Sequence, residues 1–131
     1  MEGPEIGFLA SLLSTVAFLL CAAVAGRRRR IRAHVSFVAC AVTGLGTAVY
    51  FALKTGELYD LESAGVITPI HLTLARVTTL FYLWPLVTGP LAWKGRISPR
   101  IHRAGAWTVL ALTLAATGTG IAMLLSAERL V

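Results

Sequence analysis

Three imidazoles and one intramembrane guanidinium carry most of the chemistry this chain offers: His34, His71, His102 and Arg76. His34 follows the basic run Arg27-Arg28-Arg29-Arg30-Ile31-Arg32, and His102 lies in Pro99-Arg100-Ile101-His102-Arg103-Ala104-Gly105. Each stands where a basic turn passes into an apolar stretch. Two imidazoles at matched depth on facing helices are a donor set that holds a haem iron from both sides, and imidazole also suits copper. His34 and His102 are therefore the candidate axial or metal ligands. Arg32, Arg100 and Arg103 lie near enough in sequence to meet haem propionates, because a guanidinium fork matches a carboxylate. His71 opens another apolar run from its opposite end, and the first run, its diagonal neighbour, has no histidine, so no second bis-histidine site is expected. His71 and Arg76 are instead expected to form a second polar site near the far face. An arginine inside a span costs on the order of 2.5–3.5 kcal/mol at the centre. Arg76 is expected to snorkel outward, to pair with Glu57, Asp60 or Glu62, or to meet an anionic group of a cofactor.

The elements that must hold these residues are read from composition. The 131 residues are 56% hydrophobic and 14% charged, with mean hydropathy +0.76. Soluble domains are about one quarter charged, and a chain this short cannot hide so much apolar surface in one soluble core. Four uncharged or nearly uncharged runs are long enough to cross about 30 Å of hydrocarbon. They lie at about residues 6–25, 33–53, 70–93 and 105–127. The expected fold is all-α, an integral membrane four-helix up-and-down bundle in one domain, with spans two and four diagonal across the core. The face of the last span below His102 (Ala106, Val109, Thr113, Ala116, Gly120) is mostly small and is expected to leave room for a flat cofactor. Small residues in span two favour close helix approach. Pro85 and Pro90 should kink the far end of span three. Cys21 and Cys40 are expected as small core residues, and Tyr50, Tyr59, Tyr82, Trp84, Trp93 and Trp107 mostly as an interfacial aromatic belt.

Charge is sorted by loop. Five arginines lie in the first loop, and Lys94, Arg96, Arg100 and Arg103 in the third. All six acids lie in the N-terminus, the second loop or the C-terminal tail. The positive-inside rule then puts loops one and three in the cytoplasm and both termini outside. This accounts for the net charge of +6 without nucleic acid, and the basic loops are expected to attract anionic lipid. Serine–histidine–acid catalysis is excluded by the same sorting, since the acids and two of the three histidines belong to opposite faces. No catalytic residue is expected.

His71-Leu72-Thr73-Leu74-Ala75, the Pro85/Gly89/Pro90 helix end, the Pro99–Gly105 stretch and Thr117-Gly118 together resemble small bacterial membrane proteins of unknown function marked by a P-x-x-H-R-x-x-G turn. One such group is linked to assembly of haem-copper cytochrome oxidases, and the set is similar to haem-binding four-helix cytochromes of the b type. The resemblance implies a multi-pass protein of the bacterial cytoplasmic membrane. Its role would be haem b binding, or haem or copper delivery, among respiratory complex subunits. A cytochrome b with two haems needs four histidines, and three are present. The competing expectation is a non-catalytic accessory subunit packed against a larger membrane complex.

Overall fold

The computed structural model describes Met1 and residues 3–130; Glu2 and Val131, counted above with the termini, lie outside the described residues. Among the described residues the regular structure is helical, with one short 3-10 turn at Leu61–Ala64, apart from two strands of two residues each. Helix α1 spans Gly3–Arg27 and α2 spans Ile31–Gly56. The third apolar run forms two helices, α3 (Ile67–Phe81) and α4 (Leu83–Trp93), and α5 spans Pro99–Ser126. Among the described residues, four stretches are long and apolar enough to cross a membrane: α1, α2, α3 with α4, and α5.

Each span begins before the apolar stretch that predicted it, and α1 and α2 also end later, whereas span three ends at Trp93 as expected and α5 ends at Ser126. The largest difference concerns Pro99–Gly105, expected as a turn. Ser98 accepts a hydrogen bond from the Arg100 amide, and Pro99 occupies the first helical position, where its missing N–H and fixed φ are no cost. The stretch is therefore the first two turns of α5, and His102 is already helical. The turns at this basic end shrink to residues 28–30 and 94–98. Both helices entering them close in the same way. After α1 the Arg30 amide reaches Ala25 O (2.9 Å) and the Arg29 amide Gly26 O (3.1 Å). After α4 the Arg96 amide reaches Leu91 O (2.9 Å) and the Gly95 amide Ala92 O (3.1 Å). This paired closure needs a left-handed residue. Gly95 supplies it freely at φ 71°, whereas Arg29 adopts it at φ 56° against a steric cost of roughly 1–2 kcal/mol.

Span three breaks at Tyr82, earlier than the far-end kink expected from Pro85 and Pro90. Pro85 lacks an N–H, and its ring crowds the carbonyl four residues back, that of Phe81. Pro90 lies inside α4 without ending it. The break turns Tyr82 inward, so it is 5% exposed and does not join the aromatic belt. The Thr113 hydroxyl gives its proton to Val109 O (2.7 Å), so the Tyr82 hydroxyl is the donor in its 3.1 Å bond to Thr113 Oγ1.

Helices α1 and α2 form one tight hairpin, α5 packs on α3 and α4, and α1 touches α5. In the hairpin Ala41 and Ala48 are buried, and a Cβ on Gly44 would stand 2.6 Å from Thr15 Oγ1. Small residues thus do bring backbones together there. Cys21 and Cys40, however, are free and exposed rather than in the core. Polarity is inverted relative to a water-soluble domain: Thr15, Thr113 and Thr117 are buried while Leu53, Leu80 and Leu125 point outward. Gly105 leaves the space in which the Trp84 indole of α4 lies on α5, since a Cβ there would fall 1.7 Å from Trp84 Cδ1. Gly105→Ala is expected to displace Trp84 and break its Nε1 hydrogen bond to Ile101 O. The expected loss is about 1–3 kcal/mol of stability, read as a lowered midpoint in thermal unfolding.

At the acidic end, β1 (Tyr59–Asp60) pairs antiparallel with β2 (Glu128–Arg129), tying the second loop to the C-terminal tail. Glu5 of α1 is fully buried beneath this pair. Its Oε1 accepts a hydrogen bond from the Tyr59 hydroxyl at 2.7 Å and lies 3.6 Å from Arg129 Nε. The bond to Glu5 chiefly, then burial, holds the Tyr59 phenol above its ordinary value. A raised folded-state value means that the contribution is complete below the free phenol value of about 10. It is lost as pH climbs through the raised one. Tyr59→Phe is therefore expected to be less stable than the parent by about 1 kcal/mol at pH 8, with the gap narrowing at pH 11.

Candidate functional site

The basic end brings His34 and His102 together. Their ring centroids are 6.2 Å apart, with planes at 84°. Each ring is anchored through Nδ1. His34 Nδ1 lies 2.7 Å from Ala22 O; a carbonyl only accepts, so this nitrogen carries the proton. His102 Nδ1 lies 3.1 Å from Thr88 Oγ1. The Thr88 hydroxyl already donates to Trp84 O (2.7 Å), so it accepts from His102. Both rings thus keep the proton on Nδ1, which leaves each Nε2 with a free lone pair, the state a metal ligand requires. Space for each ring comes from a glycine. A Cβ on Gly26 would meet His34 Nδ1 at 3.1 Å, and one on Gly89 would meet His102 Cε1 at 3.2 Å.

The donor set fits a metal that brings its remaining ligands with it. Among the described residues no group of three or more His, Cys, Asp or Glu side chains is placed to hold a metal ion, so a closed protein-only site is not formed. Helices α2 and α5 do not pack along their lengths, so the ring pair joins two helices that otherwise scarcely touch. The face of α5 expected to leave room for a flat cofactor does not leave it. Val109, Thr113, Ala116 and Gly120 are buried against neighbouring helices, and a Cβ on Gly120 would meet His71 at 2.8 Å.

The remaining candidates are dispersed. Arg32, Arg100 and Arg103 are exposed at the same end as the histidine pair. His71 is buried against α5, with Nδ1 3.1 Å from Thr119 Oγ1. Arg76 follows it by five residues, about 140° around the helix, and is exposed. The two do not share a site. Arg76 makes no ion pair among the described residues; Glu57 pairs with Lys54 at 3.2 Å, and Asp60 accepts from the Glu62 amide.

The ring anchors were not foreseen from the sequence, yet two of them share a signal. Thr88-Gly89 faces His102 and Thr119-Gly120 faces His71. In each step the threonine oxygen accepts from Nδ1 and the glycine clears space for the ring. Glu5 was also missed as a buried partner.

Fold and site together define a class: four membrane-length helices with an anchored imidazole pair at the arginine-rich end. Comparison with protein-family models, curated proteins and solved structures finds no match. The turn also departs by one residue from the P-x-x-H-R-x-x-G pattern, since only Ala104 separates Arg103 from Gly105.

Proposed function

We propose that this chain is a multi-pass protein of the bacterial cytoplasmic membrane that binds haem b between His34 and His102. It would serve a respiratory system, in cytochrome oxidase assembly or electron transfer. The observation that carries the reading is the pair of Nδ1-anchored rings, 6.2 Å apart at the arginine-rich end, each with its Nε2 lone pair left to bind. Two protein donors suffice for haem because the porphyrin supplies the other four. When bound, haem contributes one-electron exchange at its iron. The protein's own part is to hold the ligands. Ala22 O and Thr88 Oγ1 fix the tautomer and raise the donor strength of the rings, while Arg32, Arg100 and Arg103 meet the propionates. The arginine loops face the cytoplasm and anionic lipid, and the termini face outward. Apolar side chains outside and hydroxyls inside support a lipid surround. Titrating the purified, detergent-solubilised chain with haemin tests this. A Soret band of bis-imidazole form at one equivalent is expected. Saturation by Cu(I) without haem uptake would reassign the same pair to copper delivery.

One observation favours the accessory-subunit reading. Ser14, Phe18, Ala39, Cys40 and Thr43 line an open groove of about 430 Å³ on the outer side of the α1–α2 hairpin, where small side chains would let another helix approach. Copurification with a multi-subunit complex, with no haem uptake, would favour it.

A further inference from the structure

Arg76 stands well inside a membrane-length stretch, whereas the other cations of the described residues lie in the turns, the tail or the two terminal turns of a helix. At 1.5 Å per residue it is about 14 Å along α3 from Ile67. It is exposed, and no hydrogen bond or ion pair among the described residues reaches its side chain. Val77, Leu80, Phe81, Leu83 and Trp84 line an open hollow of about 330 Å³ that straddles the break between α3 and α4. All five are hydrophobic, and the Phe81 and Trp84 rings lie 6.1 Å apart and near parallel, at 17°. Leu80 follows Arg76 by four residues and Leu83 by seven, which puts both leucines on the arginine's own helix face. The hollow therefore begins within one turn of Arg76 and runs away from the acidic end.

A helical side chain tilts toward the N-terminus of its helix, so the Arg76 guanidinium leans toward the acidic end while the hollow lies the other way. A cation above and an apolar channel below repeat the order of a lipid's own head and acyl chain in the leaflet at that end. We propose that Arg76 and the hollow bind one anionic phospholipid of that leaflet, its phosphate on the guanidinium and an acyl chain along Leu80, Leu83 and Trp84. The guanidinium fork matches phosphate oxygens, and snorkelling with local thinning of the bilayer brings the two together. A second copy of this chain does not supply the anion, because all six acids lie in the N-terminus, the second loop or the C-terminal tail. The site is separate from the His34–His102 pair and from the arginine-rich loops at the opposite end. It rests on the membrane placement proposed above and not on the haem reading.

The test uses the full chain in phosphatidylcholine vesicles, with Trp93→Phe and Trp107→Phe so that Trp84 alone emits. A minor fraction of the lipid, either phosphatidylglycerol or phosphatidylcholine, carries brominated acyl chains, which quench an indole at short range. With the site, quenching of Trp84 half-saturates at about tenfold less brominated phosphatidylglycerol than phosphatidylcholine. Arg76→Gln removes the difference, and Arg76→Lys, which keeps the charge, retains part of it. Equal quenching by the two lipids in the parent overturns the proposal. So does a difference that survives Arg76→Gln, which would assign it to the arginine-rich loops. Weak quenching by both lipids, with two chains per particle by photobleaching, puts a second copy on this face and also overturns it. A chain that does not float with the vesicles sinks the membrane placement and the proposal with it; a chain that floats without lipid preference sinks the proposal alone. Should the tryptophan variants fail to fold, native mass spectrometry decides. Retention of one more phosphatidylglycerol by the parent than by Arg76→Gln upholds the site, and equal retention refutes it.

Discussion

His102→Ala and His34→Ala are each expected to lower haem affinity by about 100-fold or more, beyond the 10–100-fold typical for loss of a metal's outer-shell partner. Each would remove one of the two donors of the proposed site. Neither ring has a spare, because His71 is turned into the α3–α5 seam. Thr88→Val supplies the intermediate case. It leaves the imidazole in place but removes the acceptor that keeps the proton on Nδ1 of His102, so affinity should fall by roughly tenfold. All three variants are read by haemin titration of the Soret band, with His71→Ala as the contrasting substitution expected to leave the band intact. Equal spectra for the parent and His102→Ala would remove the haem assignment and leave the membrane-length architecture standing.

Glu5→Gln should be the most destabilising single change at the acidic end. The carboxylate is fully buried, accepts from Tyr59 and lies beside Arg129. Breaking a buried pair by removing one partner typically costs 3–5 kcal/mol. Arg129 keeps 33% of its side chain exposed and can turn to water, which places the expected loss at about 3 kcal/mol. For a chain of this size that is on the order of 10 °C in the unfolding midpoint. Arg129→Met, which removes the more exposed partner, should cost less than Glu5→Gln. An unchanged midpoint for Glu5→Gln would show that the Tyr59–Glu5–Arg129 contact does not hold the N-terminus, the second loop and the tail together.

Much of the architecture was legible because it depends on sums along the chain. Run length and the absence of charge mark the four membrane-length stretches. The arginine-rich turns separate one end from the other. The matched positions of His34 and His102, each just after a basic run, place both at the same end. Helix limits were legible only in hindsight, since Ser98 and Pro99 carry a capping signal that hydropathy overrides. Tyr82 was misjudged because the consequence of Pro85 falls four residues upstream of it.

Some features were decided only by the tertiary structure, because they depend on which helix lies beside which. The anchoring of His34 by Ala22 O, of His102 by Thr88 and of His71 by Thr119 joins residues 12, 14 and 48 positions apart. The filling of the α5 face expected to admit a cofactor follows from the side chains of α3 and α4 that lie on it, the His71 ring over Gly120 and the Trp84 indole over Gly105. The sequence by itself determined that the chain places its apolar surface outward and brings two histidines to one end. The fold alone decided that both rings keep their protons on Nδ1, that Arg76 and His71 part company, and that Glu5 is buried. Burial and hydrogen bonding are properties of neighbours in space, and the periodicity of one helix does not name the neighbour.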